Sequence, residues 1–289
     1  MAIRNVSLVK IWLLTAFGFA AAPSFAMAQA PAATGNPPAS APAAAGQPAA
    51  QPQDPFTVEN LIGDAVSLSN QQYPEVDQAI KRFKNSDPAG AREYLEQAKQ
   101  KYPKLPPVEL MMAKLWVFAR NGEQARLALE QTVAKHPNDP EAYLLLADLA
   151  FAEGRTTEAH ALFEKAQGLV GSFNENPKRK NNFDVRVLAG LAAVHERRQQ
   201  WDKAIPLLTK WVELDPDSAA AHSRMGITLF QMDKPQEALA EFKKARQLRP
   251  DSSHPYVMLG QLFTQKGQID KARIAFEQAY KEDAKSEAT

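Results

Sequence analysis

At 289 residues, with 45% apolar and 23% charged content, the chain has ample material for a folded body. Its 34 basic and 33 acidic residues nearly cancel, which removes the electrostatic footprint of a nucleic-acid binder. No cysteine is present, which excludes a disulfide framework and a cysteine-linked lipid anchor.

The N-terminus differs in kind from the rest. Arg4 and Lys10 precede an apolar run over residues 11–22, and Ala26, Met27 and Ala28 then follow the small-x-small rule of a secretory signal. The sequence therefore predicts a signal peptide over 1–28, cleaved after Ala28, and an exported protein that is periplasmic or secreted. An uncleaved signal would tether it to the membrane. The run of 12 residues is too short to span a bilayer comfortably, so no transmembrane segment is expected after cleavage. Cleavage would leave 32 basic against 33 acidic residues. Residues 29–53 carry no charge and are largely Ala, Pro and Gln, which bury too little surface to offset the entropy of ordering. They read as a disordered linker, reaching on the order of 75 Å if drawn out as polyproline. From 54 to 71, Val58, Leu61, Ile62, Ala65 and Leu68 follow helical spacing, which predicts one helix covering the open face of what comes next.

Beyond it runs a 34-residue rhythm. Ala91, Ala125, Ala159, Ala204, Ala238 and Ala272 recur with gaps of 34, 34, 45, 34 and 34. Twelve places before each stands a small residue (Ala79, Ala113, Ala147, Ala192, Gly226, Gly260), and four places after each a bulky one (Leu95, Leu129, Phe163, Leu208, Phe242, Phe276). Four of the six units close on proline, at Pro103, Pro137, Pro216 and Pro250, whereas Gly171 and Ala284 hold that place in the others. Two helices approach closely only where side chains are small, and proline ends the second helix of each pair. Asp139 before Pro140 reads as a helix cap, and Gly122, Gly154 and Gly267 fall in turns between helices where positive φ is expected. Trp116, Trp201 and Trp211 lie at or beside packing places and read as core.

This arrangement resembles the tetratricopeptide repeat family over residues 72–284. The resemblance implies an all-α, right-handed superhelix of six helix-turn-helix units, starting near 72, 106, 140, 185, 219 and 253, with a polar tail at 285–289. The 45-residue gap holds an 11-residue insertion near 172–184, a polar basic loop containing Asn174, Asn176, Pro177, Lys178, Arg179 and Lys180. It reads either as a solvated loop or as a contact for an anionic partner. The last helix has no cover, which leaves its side around Ile274 exposed.

The resemblance further implies that the first helix of every unit lines a concave groove that takes an extended or helical peptide or protein segment. Its places are Leu110, Lys114, Val117, Leu144, Leu145, Asp148 and Phe151 early, then Arg186, Ala189, Ala193, Arg197, Arg224, Ile227, Gln231, Gln261 and Gln265, a change from apolar to basic and polar. The apolar members read equally as packing between helices. Asparagines needed for the family's chaperone-tail clamp are missing from these places, so that use is not carried over. Enzyme signatures are also missing. His195-Glu196 is followed by Gln199 where a zinc-protease helix has its second histidine, and neither Gly-x-Ser-x-Gly nor a phosphate loop occurs. No catalytic residue, metal site or cofactor is assigned. The expectation is a non-catalytic interaction module of the bacterial cell envelope, serving assembly or quality control of envelope proteins. Its alternative is a scaffold that works through the array ends and the linker with an empty groove.

Overall fold

The computed structural model describes residues 54–63, 71–174 and 176–287, with side chains described to residue 282; the expected signal peptide and linker lie outside these residues. Thirteen helices and no strands occur among the described residues. A short α1 (Val58–Ile62) precedes six hairpins: α2 (Pro74–Lys84) with α3 (Pro88–Lys101), α4 (Val108–Phe118) with α5 (Gly122–Lys135), α6 (Pro140–Ala152) with α7 (Thr156–Ser172), α8 (Pro177–Arg197) with α9 (Trp201–Leu214), α10 (Ala219–Gln231) with α11 (Pro235–Leu248), and α12 (Pro255–Gln265) with α13 (Ile269–Glu287). The helices of each hairpin pack on each other, and its second helix meets the first helix of the next, so the hairpins stack in chain order as a solenoid.

The periodic small residues explain the close approach. Ala79, Ala113, Ala147 and Ala192 are fully buried. Where the bulky place is leucine, at Leu95, Leu129 and Leu208, the small place of the same unit is alanine. Where it is Phe242 or Phe276, the small place is glycine, because a β-carbon at Gly226 would stand 2.5 Å from Phe242 Cε1 and one at Gly260 would stand 2.6 Å from Phe276 Cε1. Phe163 belongs to a unit with Ala147, and its ring rests on Gly190 of α8 instead, where a β-carbon would come within 2.3 Å. Trp211 occupies a place that is Ala or Thr elsewhere, and the small Ala189, Ala192, Ala220 and Ala221 around it leave room for its indole.

Helix length follows proline. The four second helices whose units close on proline, α3, α5, α9 and α11, are each 14 residues long. Those without it are longer, 17 residues for α7 and 19 for α13, as expected when nothing removes the next backbone donor.

Every turn within a hairpin has one residue of positive φ, two places after the first helix: Ser86, Arg120, Gly154, Gln199, Asp233 and Gly267. The next residue's N–H returns to the carbonyl five back, as in Asp87 to Arg82 and Gln268 to Phe263, closing each first helix with a Schellman motif. Gly154 and Gly267 thus do what the sequence asks of them. Gly122 does not: it begins α5, and Arg120 takes the left-handed place.

Two further expectations are corrected. The insertion is not a loop. α7 runs through Gly171, and α8 starts at Pro177, capped by the Asn176 side chain, which accepts from the Lys178 and Arg179 amides. Asn176-Pro177 is the same start signal as Asp139-Pro140, and the inserted residues wind into a 21-residue helix. The N-terminal helix is also shorter and differently placed. It spans Val58–Ile62 and packs on α2 and α4, the first helices of two units, rather than over the outer side of the first repeat. Ala65 and Leu68 lie outside the described residues.

Candidate partner-binding face

The first helices α2, α4, α6, α8, α10 and α12 carry the residues expected to meet a partner, and the structure sorts them into three kinds. Leu110 and Leu144 are fully buried, while Leu145, Phe151 and Ala189 are nearly so, so these side chains pack between helices and are not offered to a ligand. Val117, Ala193, Ile227 and Gln231 are half-buried, and Gln261 and Gln265 are exposed.

The charged residues form the third kind, a ladder that ties α4 to α6, α6 to α8 and α8 to α10. Lys114 of α4 pairs with Glu141 of α6 at 2.5 Å, and Glu141 in turn accepts from Arg179 of α8 at 2.8 Å. Asp148 of α6 pairs with Arg186 of α8 at 2.7 Å. Glu196 of α8 accepts from Arg224 of α10 at 2.7 Å and from the Thr228 hydroxyl at 3.1 Å. Lysine and arginine also meet the carbonyl ends of neighbouring helices, where the helix dipole is negative: Arg197 donates to Phe151 O, with its guanidinium 3.7 Å from the Phe151 ring centre, and Lys266 pairs with Asp233 and points at Phe230 O.

Burial opposes ionisation of Glu141, yet Lys114 and Arg179 outweigh it and hold its carboxyl down at about 2. At Asp139 and Asp148 burial prevails and the carboxyls titrate above the ordinary range, although Arg179 and Arg186 pull the other way. The triad expected as a basic contact is therefore not one surface. Arg179 turns inward, with its side chain 11% exposed, and its guanidinium stands 5.4 and 4.9 Å from the ring centres of Phe173 and Phe183. Lys180 pairs with Asp184, and Lys178 is exposed.

Sequence reasoning missed the ladder because its rungs are not 34 apart. Lys114–Glu141, Glu141–Arg179, Asp148–Arg186 and Glu196–Arg224 each fall six or seven residues short of the spacing between their units. These four pairs thus join side chains about two turns out of step along neighbouring first helices. Opposite charges at that diagonal offset are the signal that could have found it.

Other groups hold separate places. His195 lies against His160 and contacts Gln200, His222 contacts Glu241, and His254 lies near Glu282, so the three histidines do not converge. Among the described residues no group of three or more His, Asp or Glu is placed to hold a metal ion, and no helix is long and apolar enough to cross a membrane. Two shallow depressions, of 340 and 440 Å³, lie off the ladder. One is lined by Gln167, Asp184 and Lys210, the other by Lys243, His254 and Glu282.

Comparison with known proteins places the repeats. Sequence profiles described as tetratricopeptide repeat match residues 82–149, 140–169 and 217–281. Bacteriophage adsorption protein A of Escherichia coli (strain K12) is 36% identical over 67 residues, 23% of this chain and 7% of that protein. Hsc70-interacting protein 1 of Drosophila melanogaster is 26% identical over 114 residues, 39% of this chain and 30% of that protein. The chain thus spans less than a third of either relative. Among solved structures, YrrB, a TPR protein with an unusual peptide-binding site, aligns over 64% of this chain and 89% of its own at 20% identity and a TM-score of 0.48. MamA from Desulfovibrio magneticus RS-1 aligns over 62% and 94% at 18% identity and a TM-score of 0.49. Six hairpins stacked in order, a small and a bulky packing place in each, and three repeat profiles covering both halves of the array agree: the chain belongs to the tetratricopeptide repeat family.

Proposed function

We propose that the protein is a non-catalytic interaction module of the bacterial cell envelope that takes a peptide or protein segment along its first helices, in assembly or quality control of envelope proteins. Proteins of this family mediate protein–protein interaction. The observation that carries the groove reading is the set of amides at Gln231 of α10 and Gln261 and Gln265 of α12, which follow Ile227 and the Glu196–Arg224 pair along the array. Exposed amides beside a partly covered aliphatic group suit a segment that brings backbone or amide groups with an apolar anchor. Photo-crosslinking residues placed at Gln231 and Gln265 in intact cells should give adducts of defined mass, while the same residue at Glu130 or Glu213 on second helices should not. Adducts of equal yield at both sets would remove the groove reading.

The envelope setting rests on the signal-like residues 1–28. Sequencing the N-terminus of the mature protein tests it, with Gln29 expected first and an intact Met1 in the cytosolic fraction counting against it.

A scaffold that works through its ends is the second reading, favoured by the exposed apolar side chains Ile269, Ile274, Phe276 and Tyr280 on α13. It gains if crosslinks form from α13 and not from Gln231 or Gln265.

A further inference from the structure

The short helix α1 lies where a partner would. Shifted back by one repeat, the groove place Val117 of the second unit becomes Phe83 of the first, and Lys84 follows it. These are the residues that hold the N-terminal segment. The Phe56 ring sits 6.1 Å from Phe83 and 5.8 Å from Phe118, centre to centre, and the Lys84 ammonium stands over it at 5.5 Å while pairing with the Asp54 carboxylate at 2.5 Å. Leu61 and Ile62 are fully buried in the same cluster as Ile80, Met112 and Leu115. Lys114, the groove lysine that also pairs with Glu141, donates to the Leu61 carbonyl at the end of α1 at 3.1 Å. A helix of five residues has no stability of its own, so the face beneath it imposes its order.

We infer that residues 54–62 are a resident occupant of the partner-binding face at the first two units, and that a partner segment of the same chemistry enters by displacing them. That chemistry is an acidic residue, an aromatic two places on, and an aliphatic pair five and six places after the aromatic, as in Asp54, Phe56, Leu61 and Ile62. The inference rests on the groove reading above and names the segment class that the first two units take. An intramolecular occupant lowers the apparent affinity for a competitor by the fraction of molecules in which the face is open. Its partner must therefore match or exceed it in chemistry, which supplies selection against segments with the apolar pair alone.

A fluorescent synthetic peptide of residues 54–63 is the probe, titrated into full-length protein and followed by anisotropy. Phe56→Ser weakens the resident segment without adding charge to the cluster, and peptide binding should tighten by about tenfold or more over the unaltered protein. Adding Lys84→Glu, at an exposed position, should reverse part of that gain, by about fivefold. Helix content and melting temperature of each variant are recorded alongside, since loss of fold would also abolish binding. As a second route, Asp54→Cys with Lys84→Cys in this cysteine-free chain allows the segment to be clamped with a short bis-maleimide, and clamping should abolish peptide binding. Equal peptide binding by the unaltered and Phe56→Ser proteins, both folded, would overturn the inference, as would binding that survives the clamp. This readout uses no cellular partner. Failure here with crosslinks still forming at Gln231 and Gln265 removes the resident segment alone, and the converse removes the reading of the later units alone.

Discussion

The packing of single side chains follows one rule of volume, in which alanine faces leucine and glycine faces phenylalanine. Gly226 is the strictest case, because an added β-carbon would meet both the Phe242 ring at 2.5 Å and the Ala238 carbonyl at 3.0 Å, and the backbone cannot swing aside. Gly226→Ala should therefore destabilise by about 1–3 kcal/mol in urea unfolding despite the better helix propensity of alanine, and Phe242→Leu in the same chain should recover most of the loss. A double-mutant cycle without that recovery would separate the two positions. Gly260→Ala should cost less, since Phe276 is 40% exposed and its ring has somewhere to go. Backbone conformation gives a second expectation at this scale. Arg120 and Gln199 hold left-handed places at φ 56° and 57°, where a side chain is unfavourable. Arg120→Gly and Gln199→Gly should each raise stability by about 0.5–1 kcal/mol, whereas glycine at ordinary helical positions nearby should lower it.

Between elements, the polar ladder does what apolar contacts do inside each hairpin. Glu141 is its centre, with Lys114 on one side and Arg179 on the other, all three nearly covered. Its carboxyl titrates at about 2 in the fold against an ordinary 4.5, so the stabilisation is complete above about pH 4.5 and is lost as pH falls towards 2. Asp139 and Asp148 have the opposite sign, since burial raises their carboxyls and acid relieves that penalty, which offsets part of the loss. Glu141→Gln should flatten the pH dependence of unfolding across that window and lower stability at neutral pH by about 3 kcal/mol, because it takes the counter-charge from buried Lys114 and leaves Arg179 the more distant Asp139 carboxylate at 3.7 Å. An unchanged acid slope would mean that Glu141 is not the group responsible. The long α8 belongs to the same account. Its extra turns carry Arg179 across to Glu141, so the insertion serves the contact between neighbouring units.

Across the whole molecule the two ends are unlike. The bulky places Leu95, Leu129, Phe163, Leu208 and Phe242 are all at most 2% exposed, and Phe276 of the sixth hairpin is 40% exposed. Stability in a repeat array is a sum of units and nearest-neighbour interfaces, so a unit with one interface opens first. Hydrogen exchange should accordingly be fastest in α12 and α13 and slowest in α6 to α8, with α2 and α4 protected in part by α1. Uniform protection along the array, or slow exchange in α13 at low protein concentration, would contradict this. If α13 becomes protected only at high concentration, its exposed Ile269, Phe276 and Tyr280 are covered by a second copy, and the scaffold reading gains.

The hairpins were legible in the sequence because their rules are local. A small residue, an alanine twelve places on and a bulky residue four further meet within one pair of helices, and prolines act on the backbone beside them. The Asn176-Pro177 start signal was equally local, yet its polar neighbours disguised it as a loop. The places of Lys114, Asp148, Arg186 and Arg224 on first helices were also legible, although their engagement was not, because a rung joins residues 27 to 38 apart on helices that meet only when units stack. Residues 54–62 illustrate the same limit. Their apolar spacing announced a helix, but the face they occupy exists only after two units have come together, so tertiary structure alone decided that this segment lies along the first helices rather than across the end.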